Sequence, residues 1–323
     1  FGCTKKRSTT HALIRFSHDL FLASDEPGNI IRVLFVDFAK ALDLIDHKIL
    51  MRKFIENDFP LHLSCWSLSF LEDRKQFVKV ANGVSSTAKI CCGCPQGTLS
   101  GPNNFKLMIN DLRFLLSYIK YVDDTSVASM SKNPDDTSLQ GALNDLTAWC
   151  ALNSMRLNTA KTNEMVIYFG TKYDLAHIKS LECTDNVINR VDTFKLLGVF
   201  LNRDLTWSHH VDFILKKAAK RIYFIYLLVK SGLKSSDVVS VYCSVIRSVL
   251  EYASPVWHPG LTIAQSKLIE GVQKRCLKII FPELDYNDAL FISGLQKLSV
   301  RRNIATRDLF NEIKTQINCC TIC

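Results

Sequence analysis

Three aspartates stand where a metal-dependent reaction could use them. Asp37 follows the apolar run at residues 33–36, and Asp123 and Asp124 follow another apolar run at residues 119–122. Carboxylates that meet in one sheet repel each other, and two sharing a site push a proton back onto one of them. A bound dication removes that conflict, and oxygen ligands select Mg²⁺ or Mn²⁺. Two such ions can clamp the attacking and leaving oxygens of a phosphoryl displacement.

Each feature also has an ordinary structural explanation. An aspartate at the end of a strand commonly caps the helix that follows. An Asp-Asp pair at a turn is ordinary turn chemistry, because Asp tolerates unusual backbone angles. Because both features occur in one chain, the ordinary explanations are weaker than they would be for either feature alone. They are not eliminated.

The elements around the aspartates indicate an α+β fold, because strands and helices follow in a mixed order rather than in strict alternation. The pattern predicts strands at 33–36, 76–81, 89–93, 119–122, 125–128, 165–169 and 194–201. It predicts helices from Lys40, from Pro102 through about Tyr118, and at 136–155, 207–230, 236–252 and 263–280. Asp123 and Asp124 are expected at the tip of a hairpin.

Composition sets the class of protein. With 323 residues, 47% hydrophobic and 22% charged, the chain suits about two folded domains. No apolar run reaches the roughly 18 residues of a membrane span, so we expect no membrane partner. The irregularly spaced cysteines favour a reduced, intracellular protein over a disulfide scaffold. The chain begins with Phe1, and we expect it to be part of a longer protein.

Charge differs between the two parts of the chain. Most of the net charge of +9 falls after residue 200. This distribution is typical of a catalytic domain followed by a region that grips a polyanion. A solvated basic surface would look the same on charge alone.

Five motifs in one order resemble reverse transcriptases of non-LTR (LINE-type, jockey-like) retrotransposons. The motifs are Val36-Asp37-Phe38-Ala39-Lys40-Ala41-Leu42-Asp43, Gly93-Cys94-Pro95-Gln96-Gly97-Thr98-Leu99-Ser100-Gly101-Pro102, Tyr121-Val122-Asp123-Asp124, Leu157-Asn158-Thr159-Ala160-Lys161-Thr162 and Phe194-Lys195-Leu196-Leu197-Gly198-Val199. Further on, Leu250-Glu251-Tyr252-Ala253, Val256-Trp257 and Gln273-Lys274-Arg275 resemble the thumb and the following region of the family. The resemblance covers nearly the whole chain.

The resemblance implies the palm of a right-hand polymerase, an antiparallel sheet backed by helices, with partial fingers and a mostly helical thumb. Residues 1–30 would be a remnant of the fingers, residues 31–205 the palm with part of the fingers, and residues 206–323 the basic thumb and C-terminal region. An endonuclease and most of the fingers would be missing from this chain.

The implied activity is RNA-directed DNA polymerisation by two-metal nucleotidyl transfer, in which the primer 3′-hydroxyl attacks the α-phosphate of the incoming nucleotide. Asp37, Asp123 and Asp124 would ligate two Mg²⁺ ions, with Mn²⁺ possible. Lys161 would lie near the departing pyrophosphate, as a proton donor or a point charge. An exposed loop charge is the alternative for this lysine.

The resemblance also implies which residues bind substrate. The nucleotide and template would contact Phe38, Leu42, Pro95, Gln96 and Gly97, and the primer end would contact Leu197 and Gly198. Family members usually have Phe at the place of Leu42, where the ring crowds the sugar 2′ position. We therefore expect weaker exclusion of ribonucleotides here, unless Leu42 is simply a core residue of the following helix.

The implied partners are an RNA template, a DNA primer, deoxynucleoside triphosphates and the RNA of the element. The implied location is the nucleus for target-primed synthesis and the cytoplasm for assembly with the element RNA. A catalytically inactive nucleic-acid-binding relic is the alternative, since Asn103 and Asn104 replace apolar residues usual in the family. A group II intron maturase, a telomerase-like polymerase and an Asp-dependent phosphohydrolase are further alternatives.

Two cysteine pairs have the spacing of zinc ligands. They are Cys91-x-x-Cys94 and Cys320-x-x-Cys323, far apart in sequence and without a histidine pair at finger spacing beside either. A zinc ion at the first pair would obstruct the Pro-Gln-Gly loop. We expect free thiols.

Overall fold

The computed structural model describes residues 1–2, 4–184 and 186–320. The chain divides into two compact units, Phe1–Asp192 and Thr193–Cys323. The segment 193–202 therefore belongs to the second unit, whereas the sequence assigned it to a palm ending at residue 205. The assignment of fingers, palm and thumb stays a prediction.

The first unit contains helices and strands in mixed order. Its helices are α1 (Thr9–Ser24), α2 (His47–Glu56), α3 (Leu61–Leu71), α4 (Ser100–Met108) and α5 (Ser138–Leu152). Its strands are β1 (Ile30–Val36), β2 (Lys75–Gln76), β3 (Lys79–Val80), β4 (Gly83–Val84), β5 (Ala88–Lys89), β6 (Ser117–Tyr121), β7 (Asp124–Ser131), β8 (Asn163–Ile167), β9 (Glu182–Cys183), β10 (Asn186–Val187) and β11 (Asn189–Arg190).

The main sheet has the strand order β11-β8-β1-β7-β6. Every residue of β1 is buried, which explains why all its residues except Arg32 are apolar: side chains on both faces of this central strand meet other elements. β1 is antiparallel to β7 and β8, and β6 is antiparallel to β7. The sequence predicted an antiparallel sheet, and the edge strand β11 departs from it because it runs parallel to β8. The α+β prediction is confirmed.

Helix α5 shows how the sequence builds the layer beside the sheet. Leu139, Leu143 and Leu146 are fully buried at helical spacing, and the helix packs against β1 and β7. These leucines join the same core cluster as Leu34 and Val127 from the two central strands. The core therefore lies directly behind the strands that end at the aspartates.

The helix predicted from Lys40 begins only at His47. Asp46 caps it, because its carboxylate accepts hydrogen bonds from the backbone N–H groups of the first turn. Residues 39–44 form turns instead, and Lys40 has a φ of +49°. Contacts with a distant loop hold these turns: the N–H of Cys94 donates to the carbonyl of Leu42 at 2.9 Å.

Helix α4 is shorter than predicted and ends at Met108 rather than near residue 118. The ammonium of Lys120 donates hydrogen bonds of 2.7 Å to the carbonyls of Ile109 and Leu112, just past the last turn. These bonds satisfy carbonyls that a longer helix would have paired internally. Strand β6 starts at Ser117 as a result, earlier than the sequence predicted.

A buried ionic cluster ties the first unit together behind the sheet. Glu164 on β8 is fully buried between two guanidinium groups, those of Arg32 and Arg190. Arg32 also donates to the carbonyls of Asp136 and Lys179. The cluster therefore joins β1, β8 and β11 to the loop before β9.

The second unit begins with a hairpin and continues as helices. The hairpin strands are β12 (Thr193–Leu196) and β13 (Val199–Asn202). The helices are α6 (Ser208–Lys230), α7 (Ser235–Val241), α8 (Ser248–Glu251), α9 (Ser254–Trp257), α10 (Ile263–Ile280), α11 (Tyr286–Ser293) and α12 (Leu298–Cys320), with a π-helical turn at Tyr242–Arg247 and a 3₁₀ turn at His258–Gly260. Within the described ranges, no helix is long and apolar enough to span a membrane.

The single strand predicted at 194–201 is in fact this hairpin. Its two-residue turn consists of Leu197, with a φ of +45°, and Gly198, with a φ of +87°. A turn with both central residues at positive φ matches the twist of the strands it joins. The sequence pattern missed it because leucine is an unusual residue for the first turn position.

Candidate active site

Asp37 and Asp124 lie opposite each other across the two central strands. β1 and β7 pair in antiparallel register up to Val36 and Thr125. Continuing this register by one residue sets Asp37 against Asp124, at the point where β7 begins. The end of β1 and the start of β7 therefore meet in the sheet.

The hairpin between β6 and β7 presents the other aspartate at its tip. Tyr121 pairs with Asp124, which leaves Val122 and Asp123 as the turn. Val122 has a φ of +56°, a conformation that a β-branched residue rarely adopts. Backbone strain of this kind persists only where surrounding structure holds it, and it is common at functional sites.

The backbone of Asp37 is held from β8 and the loop before it. Its N–H donates to the hydroxyl of Thr162 at 3.2 Å. Its carbonyl accepts a hydrogen bond of 2.8 Å from the N–H of Asn158. Both main-chain groups of Asp37 are thus satisfied after the strand pairing ends, which holds the backbone from which its carboxylate projects.

The surroundings of Asp124 change the pKa of its carboxyl group. Partial desolvation of its carboxyl group, followed by the negative charges of Asp123 and Asp37, raises the pKa of Asp124 to about 6. The three carboxyl groups therefore lie close enough to repel one another.

These carboxyl groups have the chemistry of a hard-cation site. Their oxygens are the ligands that Mg²⁺ and Mn²⁺ prefer, and a dication would offset the repulsion at Asp124. Among the residues that the structure describes, no group of three or more His, Cys, Asp or Glu side chains is already gathered around a single point. The carboxylate oxygens are suitable ligands for either ion. To bind an ion together, the three carboxylates would have to move closer to a common point.

The loop at residues 93–97 is fastened to the segment after Asp37. The N–H of Gly93 donates to the carbonyl of Ile45 at 2.8 Å. Gly93 has a φ of +83°, and a Cβ there would lie 2.6 Å from the carbonyl oxygen of Asp43, so glycine is required for this close approach. The side-chain amide of Gln96 donates to the carboxylate of Asp43 at 3.1 Å.

The other predicted residues of this loop are accessible. Pro95 is half-buried, and its carbonyl accepts from the hydroxyl of Thr98 at 2.8 Å. Gly97 is exposed, with a φ of +77° and open space where a side chain would stand. Gln96 and Gly97 therefore face solvent beside the turns that follow Asp37.

Phe38 and Leu42 differ in what they can offer a ligand. The side chain of Phe38 is buried against Trp149, with 6.3 Å between ring centroids, so only its backbone lies near the surface. Leu42 is half-buried and packs on the core from a turn, not from a helix.

A solvent-open cleft of about 590 Å³ lies between this loop and the β2–β5 segment. The lining carries an excess of positive charge: it contains Lys40, Arg74 and Lys89, of which Lys89 is paired with Asp73, and the single carboxylate of Asp43 beside Gln96. Such a lining attracts an anionic ligand.

Lys161 and the residues of the hairpin turn complete the predicted set. Lys161 is exposed, next to Thr162, which bonds to Asp37. Leu197 and Gly198 lie in the second unit, at the tip of the β12–β13 hairpin.

Two asparagines and two cysteine pairs were singled out from the sequence, and the structure shows the surroundings of several of these residues. Asn103 is exposed and donates to the carbonyl of Leu99 at 3.0 Å, and the buried amide of Asn104 donates to the sulfur of Cys94 at 3.6 Å. Both amides are thus accommodated. Cys94 is a free, buried thiol and Cys91 is free and exposed, whereas Cys323 lies outside the described residues.

Comparison with known proteins decides the family. A family model described as reverse transcriptase (RNA-dependent DNA polymerase) matches residues 1–201. The chain belongs to the reverse transcriptase family. The match contains all three aspartates, the Gln96 loop and the turn of the β12–β13 hairpin of this reverse transcriptase chain.

Curated relatives agree with the resemblance to jockey-like elements. The chain is 25% identical over 302 residues to a probable RNA-directed DNA polymerase from transposon BS of Drosophila melanogaster, covering 87% of this chain and 32% of the relative. It is 26% identical over 237 residues to the RNA-directed DNA polymerase from mobile element jockey of the same species, covering 69% and 25%. The chain therefore spans about a third or less of each relative's length.

Solved structures give a weaker likeness. A telomerase from Candida albicans, in complex with a TWJ fragment of telomeric RNA, has a TM-score of 0.45 at 13% identity, over 88% of this chain and 53% of that one. A telomerase from Candida tropicalis has a TM-score of 0.46 at 11% identity, over 92% and 47%. Scores this low carry no argument about function.

Sequence reasoning missed residues that support the site. Thr162 and Asn158 hold the backbone of Asp37, and Asp43 holds Gln96. All three lie within the motifs quoted from the sequence. Their membership of those motifs is the signal from which they could have been identified. The buried Glu164 could have been noticed as a lone charge in an apolar strand.

Proposed function

We propose that this chain is the polymerase part of an RNA-directed DNA polymerase from a non-LTR retrotransposon. It extends a DNA primer on an RNA template with deoxynucleoside triphosphates. The observation that carries this proposal is the opposition of Asp37 and Asp124 at the strand ends, within the range that matches the family. The curated relatives' names support the class of element.

Reverse transcriptases act with divalent metal ions, and we assign two Mg²⁺ ions, replaceable by Mn²⁺, to Asp37, Asp123 and Asp124. The ions would supply positive charge at the reacting phosphate oxygens. The chain itself supplies the direction of Asp37, through the bonds from Thr162 and Asn158 to its backbone. Exposed Lys161 would donate a proton to the departing pyrophosphate, or neutralise its charge.

The incoming nucleotide would bind beside the loop that Asp43 holds. Gln96, Gly97 and Pro95 would contact the new base pair and the template, together with Leu42 and the backbone of Phe38. The basic lining of the adjoining cleft, at Lys40 and Arg74, supports an anionic substrate there.

The second unit would bind the primer and the nucleic-acid backbone. Leu197 and Gly198 would contact the primer end. Helix α6 exposes Lys216, Lys217 and Lys220 along its surface, which supports contacts to phosphates.

The RNA of the element would be the natural template and partner. We propose that the protein works in the nucleus for target-primed synthesis and assembles with this RNA in the cytoplasm. Both locations rest on the kind of element alone.

Primer extension tests the proposed function. The chain is given a short DNA primer annealed to RNA, deoxynucleoside triphosphates and Mg²⁺, and is compared with Asp123→Asn and Asp135→Asn. Asp135 is exposed on the loop after the far end of β7, so Asp135→Asn repeats the same chemical change away from the strand ends. We expect extension by the parent and by Asp135→Asn, and none by Asp123→Asn.

Binding of the same primer–template, measured by fluorescence anisotropy, separates this function from the inactive relic. Binding without extension by the parent would contradict the polymerase and support a nucleic-acid-binding relic. Equal extension by the parent and Asp123→Asn would contradict the assignment of the aspartates.

A further inference from the structure

The turn between β12 and β13 has a conformation that its own sequence does not favour. Both central residues have positive φ, +45° at Leu197 and +87° at Gly198. Glycine accepts such angles freely, whereas a leucine there brings its Cβ too close to the backbone. A strained residue of this kind is retained when neighbouring groups hold it and a function uses it.

Tyr252 is the neighbour that holds this turn. Its hydroxyl donates a hydrogen bond of 2.8 Å to the carbonyl of Leu197. Its ring lies against Gly198 so closely that a Cβ at that position would be 3.0 Å from the ring. The hydroxyl and the ring thus touch both central residues of the turn.

Tyr252 is itself fixed from the C-terminal helices. The indole N–H of Trp257 donates to the carbonyl of Tyr252 at 3.0 Å. The adjacent Glu251 accepts two hydrogen bonds from Arg301 on α12, at 2.6 and 3.1 Å. The chain then turns sharply at Ala253, whose φ is +49°. These contacts hold the backbone at and beside Tyr252, from which its side chain reaches the turn.

We propose that Tyr252 is a positioning residue for the primer end, acting through the Leu197-Gly198 turn. This inference rests on the proposed function, in which that turn contacts the primer. Under this proposal the segment Leu250-Glu251-Tyr252-Ala253 helps to position the primer. Helix α12 supports that segment through the hydrogen bonds from Arg301 to Glu251.

Four variants separate positioning from general stability: Tyr252→Phe, Tyr252→Ala, Gly198→Ala and Tyr242→Phe. Tyr252→Phe removes the hydroxyl and keeps the ring, and Gly198→Ala forces a methyl group against the ring. Tyr242→Phe is the control, because it removes a buried hydroxyl that donates to Gln273 elsewhere in the same unit. A merely structural role for Tyr252 predicts that the two tyrosine variants behave alike.

We expect Tyr252→Phe to lower kcat of single-nucleotide extension about fivefold, roughly the rate equivalent of one ordinary hydrogen bond. Its Kd for primer–template should stay within twofold of the parent value, and Tyr242→Phe should keep the parent kcat. The effects of Tyr252→Ala and Gly198→Ala should be less than additive, because Tyr252→Ala removes the ring that the new methyl group would meet.

Hydrogen exchange of the full chain without nucleic acid gives a readout independent of activity. The amides of residues 197–199 should exchange faster in Tyr252→Phe than in Tyr242→Phe. Unchanged exchange at the turn, or a Tyr252→Phe enzyme with the parent kcat, would overturn the inference. A parent chain that binds primer–template and never extends it would instead overturn the proposed function.

Discussion

The backbone N–H of Asp37 donates a hydrogen bond of 3.2 Å to the hydroxyl of Thr162, whose side chain is fully buried. Asp37 lies just past the last residue of β1, so it has left the strand pairing that fixes its neighbours. Thr162 immediately precedes β8, the strand on the other side of β1 from β7. The backbone of the first predicted metal ligand is therefore held by the residue that directly follows Lys161.

Replacing Thr162 with valine keeps the shape of the side chain and removes the hydroxyl. We expect the free energy of unfolding to fall by about 1 kcal/mol, since one hydrogen bond is lost and an N–H loses its partner. Primer extension should slow about tenfold, equivalent to about 1.4 kcal/mol in the barrier. Thr162→Ser, which keeps the hydroxyl, should retain most of the rate. Equal rates in the valine and serine variants would contradict the orienting role.

Leu42 should set how strongly ribonucleotides are excluded. A phenylalanine in its place would bring a rigid ring toward the sugar 2′ position, where leucine is smaller and flexible. We expect Leu42→Phe to incorporate fewer ribonucleotides relative to deoxynucleotides than the parent, measured as the ratio of kcat/KM values. The same ratio in both enzymes would show that Leu42 serves only the core that it contacts.

The ionic cluster at Glu164 should be essential for the stability of the first unit. Arg32→Met would leave Glu164 fully buried with only Arg190 as a charged partner, a loss that costs about 3 kcal/mol or more. Arg52→Met is the matched control, because it breaks a pair with Glu56 in which both side chains are exposed, and it should cost less than about 1 kcal/mol. Urea unfolding of both variants measures the difference. A similar small loss in both would contradict a supporting role for the cluster.

His210 should make the second unit sensitive to mild acid. Burial, followed by the charges of His209 and Lys195, lowers the pKa of His210 to about 4. In the unfolded chain the imidazole titrates near its ordinary pKa of about 6.5, so the unfolded state binds the extra proton between those two values. Stability should therefore fall as the pH drops from about 6.5 toward 4.

A variant isolates this effect from other acid-sensitive groups. The Nδ1 atom of His210 accepts a hydrogen bond of 3.4 Å from the N–H of Phe200, and an asparagine oxygen can replace this acceptor. Urea unfolding of the parent and His210→Asn is followed between pH 4 and 7. The parent should lose up to about 3 kcal/mol more than the variant over this range. Parallel pH profiles would show that His210 does not carry the effect.

Elements with a regular apolar pattern were predictable from sequence. The apolar run at residues 33–36 and the helical spacing at residues 263–280 indicated β1 and α10, and α10 spans the predicted residues. Segments whose conformation depends on hydrogen bonds to distant residues were not predictable from sequence. The turns after Asp37 carry a helical pattern, and the hydrogen bond from Cys94 to the carbonyl of Leu42 holds them in another shape.

The residues of the site were likewise predictable only where a local sequence pattern determines their position. The positions of Asp37, Asp123 and Asp124 at strand ends followed from local patterns, and the pairing of β1 with β7 brings Asp37 opposite Asp124. Thr162 and Tyr252 were missed as supporting residues, although both lie in or beside quoted motifs. Their roles depend on which backbone group each hydroxyl reaches, and only the folded chain sets that.

Template-directed addition of a single nucleotide tests the central claim most directly. The chain is incubated with Mg²⁺ and a DNA primer on each of four RNA templates that differ only in the first unpaired base, with all four deoxynucleotides supplied one at a time. The account predicts that the parent adds the complementary nucleotide on each template and that Asp123→Asn adds none. Addition that ignores the template base, or the same products from Asp123→Asn, would contradict it.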